Sequence, residues 1–74
     1  MDIRNKDQQL LTLAADIKCA RRKAKMSQET LALECGLDRS YISRLERGIA
    51  NPTYLALHSI AKALDIPLSE IFRS

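Results

Sequence analysis

An all-α fold is predicted by three features of the sequence. Hydrophobic residues supply 46% of the 74 positions but aromatic ones only 4%, so the core must be filled by Leu, Ile and Ala, as in compact helix bundles. Apolar residues recur at the three- and four-residue spacing of one helical face. Glycines, prolines and capping residues then divide the chain into short segments. So small a core does little more than offset chain entropy, which makes residues 1–74 a single domain.

The first segment carries Leu10, Leu13, Ile17, Ala20 and Ala24 at helical spacing, which predicts a helix from about Asp7 to Ala24 with that stripe inward. Cys19 falls on its opposite face. Ser27 is an N-cap residue, with Gln28 and Glu29 opening a short second helix that ends near Cys35. Gly36 can take the left-handed conformation that closes it. Leu37 turns inward and Asp38 can cap a third helix, about Arg39 to Arg47, ended by Gly48. "NPT" marks a loop. Thr53 caps a fourth helix reaching about Leu64, with Leu57, Ile60, Ala61 and Leu64 inward. "DIP" interrupts it, and a short fifth helix, about Leu68 to Phe72, follows.

The net charge of +3 and pI near 9.1 suit a polyanionic partner without deciding for one. The start "MDIRNKDQQLL" has no signal-type apolar region, and no apolar run approaches the roughly 20 residues that span a bilayer, so a cytoplasmic protein is expected. Cys19 and Cys35 lack the spacing and nearby His of a zinc site, and read as reduced thiols without metal. A nucleophile-base-orienter set and a phosphate-cradling glycine loop are both missing, so no catalytic residue and no cofactor is assigned.

The junction of helices two and three is where the chemistry lies. Leu31, Cys35, Leu37, Ile42 and Leu45 form an inward set, and Ala32 places only a methyl where the two helices must cross. With Ile42 and Leu45 facing in, Ser40, Ser43, Arg44 and Arg47 occupy the outward arc of helix three, and Arg39 stands beside it in the first turn. Guanidinium forks can bind guanine O6 and N7 in pairs, and short hydroxyls let a helix approach the floor of a groove. The arc contains no carboxylate.

"MSQETLALECGLDRSYISRLERGIANPT", followed by "IAKAL", resembles the Cro/CI-type (XRE-family) helix-turn-helix regulators of bacteria and phages, over roughly residues 13–72. Within them it looks most like the controller proteins of restriction-modification systems, with small prophage-type repressors as the alternative. The resemblance implies a five-helix, lambda-repressor-like DNA-binding domain whose helix-turn-helix covers about residues 27–48. It implies Arg39, Ser40, Ser43 and Arg44 as readers of bases, with Gln28 anchoring a phosphate and supporting the recognition helix. Arg47, Asn51, Thr53 and Tyr54 fall in the segment that such proteins lay along the DNA backbone. Tyr41 flanks the arc and reads either as a backbone contact or as a ring packed between helices. Lys18, Arg22 and Lys25 share a flank of helix one, either as a solvated basic end or, for Lys18 and Arg22, in contact with phosphates.

Arg21 and Glu46 lie on the shoulders of buried stripes and are expected to pair, as residues at the matching positions commonly do in the family. That removes Arg21 from the reading surface. One recognition helix reads few base pairs, so a two-fold homodimer on a pseudo-palindromic site is expected, its helices roughly 34 Å apart. Ile66, Leu68, Ile71 and Phe72, in a dimerisation region of about residues 64–74, are more apolar groups than one terminal helix needs. Leu11 is a second candidate for that interface. His58, Glu29 and Glu34 read as helix surface, with contact to RNA polymerase the alternative for the two glutamates. An autoregulating antitoxin and a protein-docking module remain the other readings; the basic arc opposes the latter.

Overall fold

The computed structural model describes residues 3–71, with side chains from residue 8 onward. It contains α1 (Ile3–Lys23), α2 (Gln28–Cys35), α3 (Arg39–Glu46), α4 (Tyr54–Leu64) and one 3-10 turn, Leu68–Glu70. The described residues contain no strand. α1 lies against α3, and α2 packs on both α3 and α4. Ile17, Leu31, Ile42, Ile60 and Ile71 are the largest fully buried side chains at the centre.

Several boundaries differ from the sequence expectation. α1 starts at Ile3, four residues ahead of Asp7, since residues 3–6 include neither glycine nor proline to delay it. Its buried stripe runs through Ala14, Ile17 and Arg21. Ala24, expected inward, is exposed because it lies past the helix end at Lys23. The expected fifth helix is a 3-10 turn in which the Glu70 N–H donates to the Pro67 carbonyl at 3.0 Å. Three residues between a proline and the buried Ile71 leave no length for a second α-turn.

Capping chemistry fixes the helix starts. Ser27 Oγ accepts from the Thr30 N–H at 3.0 Å, and its hydroxyl donates to Thr30 Oγ1 at 2.9 Å. Thr53 Oγ1 accepts from the Ala56 N–H at 3.1 Å. Asp38 has the extended backbone of an N-cap, but its side chain makes no capping bond; the acid still lies favourably at the positive end of α3.

All four α-helices close with the same double hydrogen bond. The Met26, Leu37, Ile49 and Ile66 N–H groups reach back five residues to the Arg21, Ala32, Arg44 and Ala61 carbonyls. The residues just before them, Lys25, Gly36, Gly48 and Asp65, have φ of 59°, 72°, 76° and 57°. This is the left-handed closure that satisfies the terminal carbonyls of a helix. Met26, Leu37 and Ile66 fold back on the core, whereas Ile49 stays 62% exposed. Cys35, half-buried between α2 and α4, donates its thiol to the Ser59 carbonyl at 3.7 Å. Burial, aided by the charge of Glu34, pushes that thiol up.

Candidate nucleic-acid interface

α2 and α3 are joined by Gly36, Leu37 and Asp38 alone. A turn this short requires the left-handed residue, since the Leu37 N–H must reach the Ala32 carbonyl at 2.9 Å. A Cβ on Gly36 would meet no atom within 4 Å, so glycine is there for its dihedral and not for space. Ala32, 3% exposed, lets the helices cross closely.

α3 presents two chemically different faces. Ile42, Leu45 and Glu46 are buried behind it. Arg39, Ser40, Arg44 and Arg47 are exposed in front, with Ser43 half-buried. Among the described residues no ion pair occupies Arg39, Arg44 or Arg47. Tyr41 is half-buried against the core, and the Arg44 guanidinium carbon lies 6.0 Å from the centre of its ring.

A buried polar network holds α3 from behind. Arg21 Nε donates to Glu46 Oε2 at 2.6 Å and Nη2 to Oε1 at 3.0 Å. Arg21 Nη1 donates to the Met26 carbonyl at 2.7 Å, and Gln28 Nε2 to Glu46 Oε1 at 3.0 Å. Arg21 and Glu46 are 8% and 5% exposed. Burial raises the Glu46 carboxyl, but the bonds from Arg21 and Gln28 and the charges of Arg21 and Lys18 outweigh it and hold the carboxyl below its ordinary range. The bond to Glu46 in turn raises Arg21, against the opposing effect of burial. One carboxylate therefore ties together the end of α1, the start of α2 and the end of α3.

Gln28 is thus half-buried with its amide nitrogen engaged, which leaves one amide N–H for an outside ligand. Lys18 is half-buried near Glu46, and Arg22 is exposed. Beyond α3, Arg47, Asn51, Thr53 and Tyr54 are exposed on the segment leading into α4, although the Thr53 hydroxyl serves as the cap of α4. Gly48 anchors this segment to α1: a Cβ there would stand 2.7 Å from Leu11 Cδ2. Sequence reasoning assigned no role to Ile49, which is exposed next to Arg44 and donates its N–H to the Arg44 carbonyl at 3.1 Å. Its failure to fold back on the core is visible only in three dimensions. His58 is exposed, its ring 6.1 Å from that of Tyr54.

The terminal apolar group needs a correction. Ile71 is 1% exposed and belongs to the chain's own core, so it is not available to a partner. Ile66 and Leu68 are half-buried against that core, and Phe72 lies outside the described residues. Leu11 is 58% exposed.

Two helices are thus joined by a three-residue turn, and the second carries a basic face with no ion pair among the described residues. Residues 17–71 match the helix-turn-helix family HTH_3. The chain belongs to that family. It is 50% identical over 44 residues to control protein C.BamHI of Bacillus amyloliquefaciens, covering 60% of this chain and 54% of that one. It is 40% identical to control protein C.MunI of a Mycoplasma species, covering 74% of each. The immunity repressor of Bacillus phage phi105 is 38% identical over 82% of this chain, which spans only 42% of that repressor. Among solved structures, the restriction-modification controller C.AhdI from Aeromonas hydrophila superposes with a TM-score of 0.84 at 40% identity, covering 85% of this chain and 96% of that one. C.Esp1396I, solved as a tetramer with its natural 35 base-pair operator, gives a TM-score of 0.79 at 38% identity, covering 86% and 84%. Among the described residues of this family member, no helix is long and apolar enough to cross a membrane.

Proposed function

We propose that this HTH_3 protein is a sequence-specific transcriptional regulator that binds a pseudo-palindromic operator as a homodimer, and that it is the controller of a restriction-modification system. The observation that carries the reading is the exposed arc of α3. Among the described residues no ion pair holds Arg39, Arg44 or Arg47, which stand on or just past a helix whose other face is buried and pinned by the Glu46 network. α2 and α3 then form the helix-turn-helix of a lambda-repressor-like domain, with α3 entering the major groove.

In this reading Arg39, Ser40, Ser43 and Arg44 face base edges. Arg47, Asn51, Thr53, Tyr54, Lys18, Arg22 and the remaining amide N–H of Gln28 hold the backbone; they position the helix and do not specify sequence. Ile49, exposed just past α3, offers apolar surface to a sugar or a thymine methyl. The likeness to C.BamHI, C.MunI and C.AhdI supports the controller context, and that to the phi105 immunity repressor supports a phage-type repressor as the second reading.

Selection of bound sites from random duplex DNA tests the proposal. A symmetric site with half-sites about one DNA turn apart is expected. Recovery of unrelated sequences, or binding that ignores salt, would overturn it, since Lys and Arg contacts release counterions from the phosphates. In the same assay Arg44→Ala should relax preference at one position of each half-site and cost about 1 to 3 kcal/mol, whereas Arg22→Ala should weaken all sequences alike.

A further inference from the structure

We infer that Tyr41 acts as a positioning residue for Arg44: its ring, fixed against the core, holds the guanidinium at the angle from which it reads its base. The inference rests on the reading of α3 as the recognition helix. An arginine has four rotatable bonds, and one left free at a surface must be ordered when it meets a ligand, a cost that pre-organisation removes. Nothing polar orders Arg44 here, since among the described residues its guanidinium has no ion pair. What it does meet is the ring of Tyr41, 6.0 Å from centroid to guanidinium carbon, at the outer limit of attraction between a cation and a π-face.

The ring is suited to this task because it does not itself move freely. Tyr41 is half-buried and packed against the hydrophobic cluster, one helical turn before Arg44. Side chains three residues apart on a helix are neighbours, so any rotamer of Arg44 that reaches over α3 toward its N-terminus passes the ring. The Tyr41 hydroxyl donates to no described residue, so what the fold fixes is the ring. A contribution made through Arg44 shows as sequence preference, whereas one made through a phosphate would show as general affinity.

The two roles separate in binding measurements with Tyr41→Phe and Tyr41→Leu. Once Arg44→Ala has marked which base pair Arg44 reads, discrimination at that pair is measured for each variant, together with the salt dependence and the melting temperature. Tyr41→Phe keeps the ring and should keep the discrimination. Tyr41→Leu should lower it about two- to fivefold, with other positions and the salt slope unchanged, and should add nothing further in an Arg44→Ala background. Tyr41→Met repeats the test should the leucine variant melt early. An equal loss in Tyr41→Phe, a uniform loss over all sequences, or a Tyr41→Leu effect that persists without Arg44 would overturn the inference. Each of these outcomes leaves a selective wild-type protein, whereas failure of the regulator reading would remove selectivity from the wild type itself.

Discussion

Removing the Arg21 guanidinium would take away two of the hydrogen bonds to Glu46 and leave a buried carboxylate with one hydrogen bond, from Gln28, and the charge of Lys18 nearby. Breaking one partner of a buried pair costs about 3 to 5 kcal/mol, out of about 4 to 11 for a domain of this size. Arg21→Ala should therefore lower the melting temperature by more than about 10 °C, read by circular dichroism. Replacing both partners with apolar residues of similar volume, Arg21→Met with Glu46→Leu, should recover most of that loss. The pair also sets a pH dependence. Because the folded protein holds the Glu46 carboxyl below its unfolded value near 4.3, the stabilisation is fully present above that value and is lost as pH falls through the folded one. Urea midpoints followed downward from pH 6 should fall for the wild type, and the gap to Glu46→Gln should close at the acid end. At this scale the sequence was informative about which two residues sit on buried shoulders. The resemblance implied that Gln28 supports the recognition helix, but not that it does so by bonding Glu46, because a glutamine at a helix start looks the same whether its amide points outward or back across the turn.

The four helix closures show where local sequence stops being decisive. Gly36 and Gly48 mark their closures because glycine takes positive φ at little strain, whereas Lys25 and Asp65 adopt nearly the same φ with nothing in their side chains to announce it. What places them is the packing of Met26 and Ile66, which the closure turns onto the core. The left-handed region costs a side-chain-bearing residue roughly 1 to 2 kcal/mol, and glycine gives back about half of that through the entropy of the unfolded chain. Lys25→Gly should then stabilise by about 0.5 to 1 kcal/mol in denaturant titration. Gly36→Ala should destabilise by about 1 kcal/mol through its dihedral alone, and Gly48→Ala by more, since a methyl there also meets Leu11. The same limit on local reading explains the ends of α1. Its stripe was legible only in part: Ile17 is buried as expected, but Leu10, Leu13 and Ala20 are half-buried while Ala14 and Arg21 take the centre, and Ala24 depended on where the helix stopped.

For the whole molecule the open quantity is how a monomer of this size commits its terminal apolar residues. Counting apolar groups made Ile66, Leu68, Ile71 and Phe72 look surplus, but a count cannot see that the core is closed by Ile71, arriving from the 3-10 turn that packs on α4. A charge at Ile71 would be buried without a partner, so Ile71→Arg should unfold the monomer. Leu68 is only half-buried, and an arginine there can extend its stem along the surface and keep its head in water. If two copies meet through this edge, Leu68→Arg should retain the helical circular dichroism of the wild type but sediment as a monomer. Operator affinity should then fall by about a hundredfold or more, because the second half-site no longer binds as part of one linked unit. A Leu68→Arg protein that stays dimeric would move the interface elsewhere, with Leu11 on α1 the next surface to substitute.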